Sequence, residues 1–407
     1  MDCGLGSELG DIGAHGKSYI MVITIIALLF CNTVVVRAQQ FALDTSAATM
    51  MAQSEKQTSG LPNSKIAPGV SNNPGRGAIV VVPIPTSSPA IGNGATILGG
   101  YIFPLRKTDK ISPPSIIGGT WVGTDNGTRA WAVGTELYFN QDRYHAISGV
   151  AHGDLNYDFY GTGTVNGDAG RKFGLNQTGN VFFGEILRRT FWEIFVGPRL
   201  WIGKSRLEPQ HLGETFPDLP PLGVDFSMNS LGFKIERETT PNRFYPEKGT
   251  LFQLGSDFFS KDIGGTFTFQ RYRLTFNAYH TAAKRQVLAY NAFACATGGN
   301  APFFGQCIFG LQNELRGYPA GRYIDKDMLA TQAEYRLSLP WRLGLAAFAG
   351  LGEVAPSFSK FDAGNILPSG GVGPRFVLSS KYHVNLRADF AWGKNGRTFS
   401  MGLGESF

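Results

Sequence analysis

The chain has 407 residues, 43% hydrophobic and 13% aromatic but only 17% charged, with 53 Gly and 22 Pro. Beyond the first forty residues no run approaches the ~18 apolar residues of a membrane helix, and the aromatic content is too high for a disordered chain. The net charge of +6 is thinly spread, with nothing denser than pairs such as Arg188-Arg189 and Lys284-Arg285, so no nucleic-acid-binding face is expected.

Ile20 to Val36 is an apolar run broken by Asn32 and two Thr, with Lys17 before it and Arg37-Ala38-Gln39 after it. It reads as an export signal spanning residues 1–38 and cleaved after Ala38; the alternative is a retained anchor helix. Cys31 lacks the preceding small residue of a lipoprotein signal. Residues 39–77, rich in Ser, Asn, Gln, Pro and Ala, have no sustained period and read as a flexible linker.

From Ala78 onward the period is two. Trp131, Val133, Leu137 and Phe139 alternate with Ala132, Gly134 and Glu136. Tyr272, Leu274, Phe276 and Ala278 stand opposite Arg273, Thr275 and Asn277. Leu329, Ala333, Tyr335 and Leu337 alternate with Gln332, Glu334, Arg336 and Ser338, and Leu386, Ala388, Phe390 and Trp392 with Asn385, Arg387 and Asp389. Such runs have one apolar and one polar face. Turn signals such as Pro220-Pro221, Asp125-Asn126-Gly127 and Asn395-Gly396 separate them. At about 20 residues per strand and connection, residues 78–407 hold about sixteen strands of bilayer-crossing length. Starts fall near 78, 95, 115, 129, 142, 178, 191, 223, 249, 266, 285, 328, 341, 368, 384 and 397.

These features predict an all-β chain, a transmembrane antiparallel β-barrel of about 16 strands of the bacterial outer-membrane type. A soluble sandwich or propeller with its polar face in water is the alternative. Two details favour the barrel. Aromatics gather near segment ends, as interface girdles do (Phe191 to Trp201, Phe267, Phe269, Tyr272). The last strand alternates to the final residue, with Phe399, Met401, Leu403 and Phe407 on one face, and a sheet in lipid must close on itself. Phe267 and Phe269 are out of phase with Tyr272 and Leu274, which predicts a bulge or turn near Gln270.

Removal of the signal leaves two cysteines, Cys295 and Cys307. An even count at close spacing in an exported chain reads as one disulfide; two unrelated thiols, or half of a zinc site, are the alternatives. Catalytic patterns are missing. Gly197 to Ser205 has five residues between its glycines where a phosphate loop needs four. Gly161-Thr-Gly163-Thr-Val-Asn-Gly167 misses the dinucleotide fingerprint, and no nucleophile elbow occurs. The histidines at 145, 152, 211, 280 and 383 lack ligand spacing. No enzyme, cofactor or metal site is expected.

Leu315-Arg316-Gly317-Tyr318, followed by Gly321-Arg322-Tyr323, resembles the Arg-Gly-Tyr/Phe loop motif of the BamA/TamA superfamily, the bacterial surface antigen family. Asn242-Arg243-Phe244-Tyr245-Pro246-Glu247-Lys248-Gly249 resembles that family's turn before a mid-barrel strand. Gly370-Gly371-Val372-Gly373-Pro374-Arg375 is similar to its Gly-rich strand, and Phe399 to Phe407 to its closing strand. The resemblance covers about 240–407. It implies sixteen strands, with the sixth surface loop folded into the lumen and Arg316 at its tip, paired with an acid on the wall. The family's Phe-x-Asp-x-Gly strand aligns with Phe348-Ala349-Gly350-Leu351-Gly352, so Gly350 stands where the acid belongs. Glu334, Glu353 and Asp389 are the substitutes, and Glu334 is the expected partner.

Family members that insert or translocate proteins carry periplasmic repeats (POTRA-type) before the barrel, and residues 39–77 are too few for one. The resemblance implies a barrel in the outer membrane, with outer-membrane lipids and client outer-membrane or secreted proteins as partners. Its expected role is to assist insertion or translocation of proteins or lipids. The alternatives are a passive or gated pore lined by Arg271, Arg273, Arg387 and Glu136 and plugged by the sixth loop, or a soluble secreted binding module.

Overall fold

In the computed structural model, residues 78–407 are described, except 89–91, 107, 110, 114, 211–222, 243–244, 311–313 and 380–383. The expected export signal and linker, the Pro220-Pro221 turn, and Arg243 and Phe244 of the mid-barrel turn lie outside the described residues. Sixteen strands form one antiparallel sheet in which each pairs with its neighbours in sequence. They are β1 (Ala78–Ser88), β2 (Gly92–Phe103), β3 (Ser115–Thr124), β4 (Arg129–Phe139), β5 (Tyr144–Phe159), β6 (Phe173–Arg189), β7 (Ile194–Pro209), β8 (Val224–Glu238), β9 (Gly249–Phe259), β10 (Phe269–Ala283) and β11 (Gln286–Gly299), then β14 (Asp327–Ser338), β15 (Leu343–Ala355), β16 (Leu367–Ser379), β17 (Val384–Gly393) and β18 (Gly396–Leu403). Two short strands, β12 (Cys307–Ile308) and β13 (Ile324–Asp325), pair with each other inside the loop between β11 and β14. Every barrel strand starts within five residues of its predicted position.

The ring returns to its start, since β1 comes to lie beside β18 with Cα atoms within 8 Å. Among the described residues no backbone ladder joins these two strands. Among the described residues the barrel thus has fifteen ladders, and β1 and β18 meet at a seam where none is found.

The alternation is turned inside out relative to a soluble sandwich. Leu329, Tyr335, Phe390 and Trp392 face outward and are exposed, whereas Gln332, Glu334, Arg336, Asn385, Arg387 and Asp389 face the lumen and are buried. An apolar exterior suits hydrocarbon, and polar groups are tolerated only where they face the enclosed interior. The soluble-module alternative fails on this point. Antiparallel succession places the connections alternately on two rims. The loop 300–326 marks one, the loop rim; the two-residue turn between β10 and β11 marks the other, the turn rim. Exposed aromatics stand near both, with Phe191, Trp192 and Trp341 at the turn rim and Trp121, Trp131 and Trp392 near the loop rim.

Two sequence expectations are corrected. Of the bulge or turn expected near Gln270 only the turn is present, with Phe267 in the connection between β9 and β10, and β10 pairs with β9 without interruption from Phe269 to Tyr279. Phe269 points into the lumen in phase with Arg271 and stacks on Phe259 at 4.3 Å, so its parity is that of the polar face. The register of β10 shifts instead against β11, between Thr281 and Ala283. The closing strand also stops at Leu403 rather than running to Phe407. Gly404 takes φ 74°, the left-handed region that favours glycine. The chain then turns into the lumen, where the Arg336 guanidinium lies 5.7 Å from the Phe407 ring centre.

Candidate functional site: the lumen plug

Described residues of the loop 300–326 enter the lumen from the loop rim and pack on the inner wall. Phe309, Leu315, Tyr318 and Tyr323 of the loop pack with Phe293, Met328, Val354 and Leu367 of the wall in one buried cluster. Phe309, Tyr318 and Tyr323 meet edge to face, at 5.5 to 6.2 Å between ring centres, the geometry that ring quadrupoles favour. Cys295 on β11 and Cys307 in β12 form a disulfide that ties the root of the loop to the wall.

Glycines admit the loop, Gly350 and Gly317 among them. A Cβ on Gly350 would lie 2.4 Å from the Leu315 side chain and 2.4 Å from the Thr331 carbonyl oxygen. The glycine in the expected acid position thus leaves room for the loop beside the wall. Gly317, at φ 105°, passes the end of β17 so closely that a Cβ would sit 2.9 Å from the Trp392 carbonyl oxygen.

Between these glycines Arg316 reaches into a cage of charge. Its Nη2 lies 2.6 Å from Glu334 Oε2 and its Nη1 donates to Asp389 Oδ2 at 3.0 Å. Nε donates to Gln332 Oε1 at 2.9 Å, and the guanidinium sits 3.4 Å from the centre of the Phe348 ring. Glu334 therefore does not hold Arg316 alone; Asp389 shares it. The third candidate, Glu353, is not in the lumen. It belongs to the outward parity of β15 with Leu345 and Leu351, is covered by the loop after β15, and accepts the Asp362 backbone N–H at 2.8 Å.

The cage continues through Arg336, which donates to Glu334 at 2.6 Å, and Arg375, which donates to Asp389 at 2.7 Å, while Arg387 donates to Asp389 at 3.2 Å. Sequence reading missed its last member. Glu405, beyond the closing strand, accepts from Arg375 Nε at 2.8 Å and from Asn385 Nδ2 at 2.6 Å, and the Phe407 carbonyl oxygen accepts from Arg336 Nη2 at 2.6 Å. The unbroken alternation of Phe399, Met401 and Leu403 concealed this inward turn; Gly404 was the available signal. Phe399 packs beside Phe390, with ring centres 4.9 Å apart.

A second charged group missed by sequence reading lies across the lumen. Lys234 contacts Glu185 at 3.1 Å and Glu236 at 2.8 Å; Arg199 lies 3.4 Å from Asp257, and Arg271 lies 3.9 Å from it. Of the proposed pore-lining residues, Arg271, Arg273, Arg387 and Glu136 are all buried on the lumen face; Glu136 accepts the Tyr138 hydroxyl.

A latch crosses the loop rim. The short helix α1 (Thr164–Ala169), between β5 and β6, presents Asp168, which accepts from Lys394 Nζ at 2.7 Å, Tyr323 Oη at 2.9 Å and Asn395 Nδ2 at 2.8 Å. Burial alone would raise the Asp168 pKa, but these donors, led by Lys394, hold it below the ordinary carboxylate value. Burial and the neighbouring carboxylate push the Tyr323 hydroxyl far up, so it remains a donor. Among the described residues no group of His, Cys, Asp and Glu is arranged to hold a metal.

A sixteen-stranded sheet, apolar outside and polar within, plugged by its own loop, is an outer-membrane β-barrel. A model of the Omp85 superfamily domain matches residues 121–407, and the chain belongs to that superfamily. Among solved structures it is similar to BamA from Haemophilus ducreyi lacking POTRA domains 1-3, with TM-score 0.54 and 11% identity over 80% of this chain and 69% of that one. It is also similar to CdiB from Acinetobacter baumannii (TM-score 0.53, 11% identity, 80% of this chain and 59% of that one). CdiB from Escherichia coli gives TM-score 0.54 and 11% identity over 84% of this chain and 63% of that one. The chain thus spans about three fifths of each CdiB. At this identity the likeness is one of fold. No curated protein matches the chain in sequence.

Proposed function

We propose that the chain assists insertion or translocation of proteins or lipids at the outer membrane, using the seam between β1 and β18 as its working edge. The seam carries this reading. Every other strand boundary carries a ladder, whereas among the described residues β1 and β18 are adjacent without one. An unpaired strand edge is a template for an incoming strand. The plug supports the same reading over a steady pore, because loop and tail side chains occupy lumen space that a permeant would need. In this reading residues 1–38 are an export signal, 39–77 a linker and 78–407 the barrel domain. The longer loops face the cell exterior, clients are outer-membrane or secreted proteins, and Arg316 with Glu334 and Asp389 holds the plug.

The test is a cross-link across the seam. Val81→Cys on β1 is paired in turn with cysteines at Thr398 to Met401 on β18, and the purified barrel is reconstituted in vesicles with an unfolded reporter barrel. The expected result is that oxidation stops reporter insertion while heat-modifiable gel migration is unchanged. Reductant should restore insertion, with the wild type carried through the same treatment to account for the native disulfide. Insertion unaffected by a formed cross-link would defeat the reading, and steady single-channel conductance from the same vesicles would establish the pore instead.

A further inference from the structure

The outer wall is not uniformly convex. Where β10, β11, β14 and β15 approach the loop rim, a groove of about 430 Å³ opens on the lipid side. Register explains it. Leu274 pairs with Ala294, Ala294 with Leu329, and Leu329 with Glu353; one step lower Ala292 pairs with Thr331, and Thr331 with Leu351. Small Ala292 and Ala294 thus form a floor between the taller Leu274, Leu329 and Leu351. Phe361 and Ile366, from the loop after β15, close the end towards the rim. Glu353, the one carboxylate lining the groove, accepts the Asp362 N–H. The same loop carries Lys360, exposed beside Phe361.

We propose that this groove is a seat for one acyl chain of a bilayer lipid. The groove is continuous with the lipid-facing wall, so hydrocarbon is the medium that meets it. Its lining is mostly apolar, with small Ala292 and Ala294 at the floor, which suits a flexible chain lying along the strands. Relative to bulk lipid only the closer packing against the floor and the loop counts. The preference is therefore a modest enrichment over other wall positions. Lys360 at the rim would meet the phosphate of the same lipid.

The experiment uses the protein from residue 39 onward in vesicles of phosphatidylethanolamine and phosphatidylglycerol, doped with a phosphatidylcholine carrying a diazirine in one acyl chain. After irradiation, adducts are mapped by peptide mass spectrometry. The expected result is a several-fold excess on Leu274, Leu329, Leu351 and Phe361 over outward residues elsewhere, such as Val133, Val150 and Ile202. Ala294→Leu fills the floor and should bring that excess down to the wall background, with heat-modifiable migration retained; if that variant does not fold, Ala292→Leu serves. An even adduct distribution in the wild type overturns the proposal. So does a protein–protein adduct from a photoreactive residue at Leu329, which would make the groove a contact between copies or with a client strand.

Discussion

Two charged networks face each other across the lumen, and they are built differently. In the one around Lys234, every member lies on a wall strand from β6 to β10, with three cations against three carboxylates. The one around Glu334 has four guanidiniums against three carboxylates, and two of the seven come from segments that enter the lumen, Arg316 from the loop and Glu405 from the tail. The wall alone would leave Arg336, Arg375 and Arg387 against Glu334 and Asp389, a surplus of one positive charge. Counting side chains, Arg316 of the loop adds one positive charge and Glu405 of the tail one negative, so this pair of side chains enters without changing that balance. A self-contained network stiffens a wall, whereas one completed by movable segments ties those segments to each other.

Truncation should separate the two networks. Glu334→Ala leaves Arg316, Arg336 and Arg375 facing one another, and breaking a buried pair in this way costs about 3–5 kcal/mol. Urea unfolding in detergent should show that loss, with new protease cleavage inside 300–326. Asp389→Asn should act in the same direction, because both acids touch Arg316. Glu236→Gln in the other network should lower barrel stability and leave the loop protected. Loop cleavage in that variant would show that the networks are not independent.

The disulfide gives the next effect. In the chain-entropy model a closed loop of this size is worth about 3 kcal/mol, so Cys295→Ser with Cys307→Ser should lower the unfolding midpoint. The cage and the aromatic cluster should nonetheless keep the loop docked, as protease protection in native conditions would register.

A smaller effect tests the charge balance itself. Glu405→Gln raises the surplus to two, and adding Arg316→Met returns it to one. The double-mutant cycle should therefore show the second change costing less than expected from the singles, by about 1 kcal/mol. Strict additivity would mean that the tail and the loop are held separately.

The smallest effect concerns the latch. The Asp168 pKa is lowered in the folded protein, so its contribution is fully present above the ordinary carboxylate pKa and is lost as pH falls through the lower folded value. The loop rim should resist protease across neutral and mildly acidic pH and open only in strong acid. Asp168→Asn should weaken the latch at neutral pH and flatten that acid response.

Strand positions were legible because an outward Trp131, Tyr335 or Phe390 and an inward Glu136, Glu334 or Asp389 obey one rule for the whole length of the barrel. The rule fails where an apolar residue faces the lumen. Phe269 looks like a lipid-facing residue out of phase, but it packs on Phe259 beneath the loop. Phe407 continues the alternation of β18 in sequence while the backbone has already left the strand. Alternation alone could have excluded Glu353 as a lumen partner, since it shares parity with Leu351. The pairing of Arg316 with two acids, the entry of Glu405 and the Asp168 latch join residues separated by as many as 227 positions, and no local pattern encodes such contacts.

The missing ladder has a mechanical consequence. A tube slit along one line keeps most of its resistance to bending but loses much of its resistance to torsion, because shear is no longer carried around the full circumference. Among the described residues a lengthwise slip between β1 and β18 has no ladder to break, whereas between any other neighbours a slip of even two residues must break and remake a ladder. Twist applied to this barrel would therefore concentrate at one line, leaving the other fifteen strand boundaries in register.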